Sequence, residues 1–444
     1  MRLRLKFRMY VDYFRYLASI QKKETFMLLV DLVTFILSTF AFISQWIHQF
    51  EGPGFGFSII MLFLLSLVKL GYDTYKMGSD IIKYKHSDQY EIKAKDKIII
   101  YDEFLPLNDL IPSQMEERIH YEKVEIVHQN DFVFYSPKVD RHLRTTNLRL
   151  SENKLKGKKI KKIISDDKEV LIPFLNYQFA HSMADKKYFY NEQKLCLSED
   201  LDITQIDACC HKGSYFDSFL TNHVSTKQLY SKSNNRVIYD GTNYFPVAYA
   251  KDVNELRLLE INFSDMNNEI GVSTLGFTAD NYLVIWKQNA HAQSSNNLFV
   301  PTGSGSCDWK DIIDQDFTKT ITNGMGRELW EESGKTSLGK SHRTIGKTKL
   351  LGFFRWVKRG GKPEFVGLTK LDVKASQLDP EIEEVRKSRS RHMWRIEDLT
   401  ELKKVIKEIQ AHKETSIPLF MCLKSLEVYM EENPEELREL LNIR

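Results

Sequence analysis

The chain has 444 residues, 42% hydrophobic and 28% charged, a globular composition with room for two or three domains. A net charge of +3 provides no global field to draw nucleic acid, so duplex binding is not expected. The five cysteines contain no CxxC pair and are odd in number, which argues against a disulfide framework or a zinc site and fits a reducing compartment.

Residues 1–25 are a basic leading segment, carrying Arg2, Arg4, Lys6, Arg8 and Arg15 among others. "FMLLVDLVTFILSTFAFISQWI" (Phe26–Ile47) then meets the roughly 20 apolar residues that a membrane-crossing helix needs. "FGFSIIMLFLLSLVKLG" (Phe55–Gly71) sits near the lower limit of roughly 17. Between them "HQFEGPG" is a short turn broken by Gly52, Pro53 and Gly54. The first apolar core is too long for a cleavable signal, and a second follows at once, so residues 26–72 read as a membrane hairpin. Lysines and arginines flank both spans and avoid the turn, which puts both termini in the cytoplasm. Asp31 and Lys69, the charges within the spans, lie toward the same membrane face. They can pair in a polar seam or each snorkel to the interface.

Residues 73–245 read as a strand-rich cytosolic connecting region. "KDKIIIYDEF" is strand-like, and "VEIVHQNDFVFYS" is a hairpin broken at His128–Asp131. "KLKGKKIKK" (Lys154–Lys162) suits an anionic lipid surface, the phosphates of a ligand or a solvated loop. Cys209-Cys210-His211 is either a redox or metal spot or an ordinary buried cluster.

Residues 246–444 carry the strongest pattern. "GVSTLGFTADNYLVIWKQNA" predicts two strands turning at Asp280-Asn281, and "NNLFVPTGSGSCDWKD" a strand entering a glycine-containing loop. "DFTKTITNGMGRELWEESG" predicts a helix capped by Asp316 and ended by Gly334. On it Glu328, Glu331 and Glu332 share an arc of about 100°, although like charges at that spacing repel. Mg2+ or Mn2+ wants oxygen ligands together with substrate phosphates, and such a cation would relieve the repulsion. Downstream, "RWVKRGGKPEFVGLTKLDV" predicts a hairpin whose Lys358, Arg359 and Lys362 are candidate phosphate contacts. Glu364 and the acidic run "DPEIEEVRKSRSRH" are candidate sources of a general base, and "IPLFMCLKSLEVYM" and "PEELRELL" are amphipathic packing helices.

The pattern "REL-x-EE-x-G" resembles the core of the Nudix box, the signature of hydrolases of nucleoside diphosphate derivatives, and "PTGSGSCDWKD" resembles the loop before it. The resemblance covers about Ile270 to Phe420. It implies a Nudix-like α/β/α sandwich, so the whole chain would be an α+β membrane protein: hairpin, strand-rich middle and C-terminal sandwich. By the same resemblance Arg327 orients the acids, Glu331 and Glu332 are the chief metal ligands, Glu328 assists, and Gly303 and Gly305 belong to the ligand loop. The upstream half of the box departs from the pattern. The positions fourteen and eight residues before Arg327, where glycine and glutamate are expected, hold Ile313 and Lys319. That favours binding over turnover.

A membrane hairpin joined to such a domain resembles the two-transmembrane Nudix effectors of bacterial CBASS anti-phage systems. This implies a multi-pass inner-membrane protein whose Nudix-like domain senses a cyclic oligonucleotide or another nucleotide ligand. It then oligomerises and disrupts the bilayer, causing abortive infection. The alternative is a membrane-anchored Nudix hydrolase using Mg2+ or Mn2+.

Overall fold

The computed structural model describes residues 3–48, 53–85, 89–94, 119, 121–185, 189–250, 256–288, 297–334, 345–379 and 389–444. "KDKIIIYDEF" and most of "DPEIEEVRKSRSRH" lie outside them. The chain divides into two compact units. Residues 1–94, 161–191 and 227–241 form the first; 95–160, 192–226 and 242–444 form the second.

In the first unit the basic leading segment is a helix, α1 (Leu3–Ile20), which buries Met9, Tyr13, Tyr16, Leu17 and Ile20. Tyr13 stacks on Phe179 with ring centroids 4.2 Å apart and donates its hydroxyl to Asn176 Oδ1 at 2.6 Å. Two long helices follow, α2 (Lys22–His48) and α3 (Pro53–Lys85). Each contains a stretch long and apolar enough to cross a membrane, Lys22–Ser44 and Ser58–Tyr75. Phe26, Leu37, Phe40, Leu65 and Val68 point outward, whereas a water-soluble helix pair would turn such residues inward. Between the two helices, Phe35 and Phe42 stack on Phe63, Ser38 and Ser66 share a 2.8 Å hydrogen bond, and Lys69 meets Asp31 at 2.5 Å. The pairing alternative for these two charges is the one realised. The α3 helix runs fourteen residues past Gly71, where the second span was expected to end (85 − 71).

The second unit is built on a nine-stranded sheet. Its strands are β1 (Glu122–Ile126), β2 (Asp131–Tyr135), β3 (Gly271–Phe277), β4 (Tyr282–Gln288), β5 (Phe299–Val300), β6 (Gly303–Ser306), β7 (Gly346–Trp356), β8 (Lys362–Leu371) and β9 (Arg389–Arg395). The order is β5-β4-β3-β8-β7-β2-β1, with β6 paired to β3 and β9 to β4. Only β3 and β8 run parallel; the other ladders are antiparallel. The hairpin expected in "VEIVHQNDFVFYS" is β1–β2, turning through Asn130 at φ +47. The one expected at Arg355–Val373 is β7–β8, turning through Gly360 and Gly361 at φ +68 and +66, where glycine avoids the Cβ penalty.

Helices cover both faces of the sheet. On one, α5 (Phe317–Ser333) buries Phe317, Ile321 and Met325 against Val272, Leu350, Phe353 and Phe365. Each of the three follows the last by four residues, so they form one stripe. On the other, α6 (Leu399–Ala411), α7 (Ile417–Glu432) and α8 (Pro434–Leu441) pack on Leu275, Phe277, Val366 and Leu368. The alternation along β8 sends Phe365 to one side and Val366 to the other, as a strand buried on both faces requires.

The middle of the chain carries strands as its sequence suggests, at Tyr90–Ala94, Arg149–Glu152, Gln193–Leu197, Asp207–Ser214, Lys227–Ser231 and Arg236–Asp240 besides β1 and β2, together with helices that were not expected. It contains α4 (Pro137–Thr145) and two further helices, Lys154–Asp166 and Lys168–Ala184. The basic run is therefore helical rather than a loop, and Ile160 and Ile164, four residues apart on that helix, are buried.

Candidate functional site: an acidic helix beside a mixed-charge cleft

The sequence around α5 explains its placement. Asp316 caps it, its carboxylate accepting from the Lys319 backbone N–H at 2.8 Å. Gly334 ends it with its N–H on Trp330 O at 2.9 Å and φ −126, so this glycine is not in the left-handed conformation expected of it. The strand β6, "GSGS", lies directly on the helix. A Cβ on Gly303 would strike Leu329, and one on Gly305 would strike the Glu328 carboxylate. Both glycines were expected to cradle ligand. Their lack of side chain first serves the close approach of strand to helix, although Gly305 also lines the neighbouring cleft.

The acids occupy the last two turns of α5. Arg327 beside them is largely committed elsewhere: its Nε and Nη2 bind Asp311 at 2.8 Å each, and Nη2 also donates to Ser306 O at 2.9 Å. Only Nη1 faces the glutamates, at 3.0 Å from Glu328 and 3.4 Å from Glu331. Glu332 accepts from the Ser304 backbone N–H at 2.9 Å. Burial raises the Glu328 carboxyl to about 8; Arg327 pulls it back, while Glu332 and Glu331 push it further up. Burial works against the Arg327 charge, yet Glu328, Asp311 and Asp308 hold its pKa above the ordinary value.

Asp308 and Asp311, from "CDWKD", supply the anchor that sequence reasoning missed. The only signal was two acids three residues apart in a loop, and they close a capping box over the turn Trp309–Asp311. Lys194 approaches Asp308 at 2.6 Å and is itself buried.

A cleft of about 300 Å³ lies alongside β6, its lining including Ser304, Gly305, Ser306, Glu269, Lys362 and Glu364. Lys362 is 5% exposed and sits between two buried acids, 2.8 Å from Glu364 and 3.7 Å from Glu269. Ser306 donates to Glu269 at 2.7 Å, which connects the cleft through Ser306 to Arg327 and the acidic helix. Arg359 also lines the cleft, with its guanidinium 4.8 Å from the Trp356 ring centroid. Lys358 does not join them, because its ammonium binds the Asn130 carbonyl. Three of the five expected ligand contacts, Gly305, Arg359 and Lys362, thus meet at one cleft, and Glu364 is with them. Glu269 gave no sequence signal.

The donor set suits a hard divalent cation in kind, with carboxylate oxygens only and one guanidinium mostly spent on Asp311. Among the described residues, however, no three His, Cys, Asp or Glu side chains converge into a finished metal site. A cation at Glu328, Glu331 and Glu332 would need further oxygen ligands, such as a ligand's phosphates, to complete its coordination. Such a cation supplies charge neutralisation and polarisation of a phosphoryl oxygen.

The Cys209-Cys210-His211 stretch is structural. All five cysteines are free, and His211 is buried between Ser198 (2.9 Å) and Asn267 (3.3 Å), its pKa lowered to about 4 by burial.

No family model and no curated protein matches the chain. Solved structures similar to it include a MutT protein from Methanosarcina mazei Go1, at 14% identity over 38% of this chain and 96% of that one, with a TM-score of 0.24. Others are of a bifunctional NMN adenylyltransferase/ADP ribose pyrophosphatase from Francisella tularensis. One, complexed with AMP and a Mn ion, is 15% identical over 37% of this chain and 42% of that one, TM-score 0.24. The second is 16% identical over 37% and 41%, TM-score 0.25, so this chain spans about two fifths of that enzyme's length. Likeness at these values carries no inference about chemistry.

Proposed function

We propose that the second unit is a Nudix-like module that binds a nucleotide-class ligand through a divalent cation at Glu328, Glu331 and Glu332, in a chain anchored to a bilayer by α2 and α3. The observation that carries this reading is the acidic end of α5. Glu328, Glu331 and Glu332 stand together on one helix end, Arg327 is shared between Asp311 and Glu328, and the mutual repulsion that helps raise the Glu328 carboxyl is relieved by a cation. The ligand's phosphates complete the coordination, and Lys362 and Arg359 face it from the cleft. The outward apolar surface of α2 and α3 favours lipid around them.

In this reading the chain is a signal-gated membrane effector of the CBASS kind. A cyclic oligonucleotide binds one state of the second unit better than another, and that difference drives oligomerisation and breach of the inner membrane. A membrane-anchored hydrolase is the second reading, favoured by the buried Glu269 and Glu364 in the cleft, which add acids beyond those a metal needs. The test is co-expression with a cyclic-oligonucleotide synthase while membrane potential is followed. Wild type should depolarise and Glu331→Gln/Glu332→Gln should not. Depolarisation in neither contradicts the effector reading for that ligand, and release of mononucleotide by wild type without depolarisation selects the hydrolase.

A further inference from the structure

The second unit has a larger cavity than the cleft beside the acids. It is a groove of about 570 Å³ near the opposite end of α5, walled by α4, the first two turns of α5, the start of β7 and α8. Thr318 and Thr322 of α5 line it, ten residues before Glu328 and Glu332 (328 − 318, 332 − 322). At 1.5 Å rise per residue the two sites lie about 15 Å apart along the helix.

Its chemistry is the reverse of the acidic end. Arg144, Lys319, Lys347 and Lys349 line it against Glu436 and Glu439, with Glu432 paired to Arg144 and Asp316 to Lys319 at its edge. Leu143, Leu350 and Leu440 supply a small apolar floor, and threonine hydroxyls supply hydrogen-bonding groups. The cations are placed by structure. Arg144 is held by Leu351 O at 2.9 Å and Glu432 at 2.5 Å, with its side chain 4% exposed. Lys347 and Lys349, two apart on β7, project to the same face.

The partners of the two lysines differ. Lys349 is bound by the Glu436 carboxylate from α8. Lys347, exposed at the groove, has neither ion pair nor hydrogen bond among the described residues. One lysine is thus already matched by an anionic group of the chain's own, and the next stands ready for another. A phosphate is a group that two adjacent ammoniums recognise.

We infer that this groove is a second, metal-independent binding site for a phosphorylated small molecule, whose phosphate lies at Lys347 and Lys349 and displaces Glu436, and whose apolar part rests on the leucine floor. It does not depend on the reading of the acidic helix, because it needs no cation.

The test uses the full chain in detergent with EDTA present, ADP as the probe in calorimetry and pyrophosphate as competitor. Wild type should bind ADP without metal, and pyrophosphate should compete. Lys347→Glu should weaken binding at least tenfold, Glu436→Gln should tighten it several-fold by freeing Lys349, and Glu331→Gln/Glu332→Gln should leave it unchanged. Lys347 is exposed and unpaired, so its variant should melt like wild type. Absence of ADP binding in EDTA, indifference to Lys347→Glu or Glu436→Gln, failure of pyrophosphate to compete, or loss of binding in the glutamine pair each overturns the inference. Failure of the acidic site instead shows as no added binding when Mn2+ replaces EDTA.

Discussion

Arg327 and Asp140 show how single buried charges shape this molecule. Arg327 neutralises Asp311 and Glu328 and lies 3.7 Å from Asp308. Its side chain is only 12% exposed, so Arg327→Ala strands these buried carboxylates and should cost about 3–5 kcal/mol in denaturant unfolding. A loss below 1 kcal/mol would show that water reaches the network. Asp140 at the start of α4 accepts from the Phe353 N–H at 2.8 Å, and burial raises its carboxyl to about 7. Below about pH 4 this group is neutral both folded and unfolded. As pH rises to about 7 only the unfolded chain ionises freely, so stability falls across that window, by about 4 kcal/mol, and levels off above it. Unfolding measured from pH 4 to 8 should have a shallower slope in Asp140→Asn. A residual slope is expected from Glu260, which burial also raises to about 7.

At the scale of elements, function depends on how closely β6 lies on α5. Gly305→Ala would drive a Cβ into the Glu328 carboxylate. It should reduce Mn2+ uptake about tenfold by moving an acid on which coordination depends, with the fold retained by circular dichroism; unchanged uptake would remove Glu328 from the ligand set. Much of this was legible in the sequence. The helix from Asp316, its cap and the hairpin at Arg355–Val373 are local signals, and each was realised. What was not legible is what tertiary structure brings from afar. Glu269 and Lys194 are 59 and 134 residues from Glu328 in sequence (328 − 269, 328 − 194) and carry no motif, yet one faces the cleft and the other holds Asp308. The glycines of "GSGS" were read as a ligand loop because backbone approach to a ligand and to a helix demand the same residue.

For the molecule as a whole, two apolar helices with side chains turned outward set the physical problem. If α2 and α3 span a bilayer, the chain should stay in the membrane fraction after alkaline carbonate washing and need detergent for release; recovery in the wash would contradict that. Their polar seam, Asp31–Lys69 with Ser38–Ser66, is a pair of contacts that rotation of one helix against the other would break. Asp31→Asn should therefore change ligand-dependent crosslinking between copies, and identical crosslinking in variant and wild type would make the seam merely structural. The measurement that bears most directly on the whole account is Mn2+ uptake by the purified full chain with ADP present, followed by the electron paramagnetic resonance signal of free Mn2+. Wild type should deplete that signal and Glu331→Gln/Glu332→Gln should weaken uptake at least tenfold; equal uptake by both, or none by wild type, contradicts a divalent cation held on the acidic end of α5.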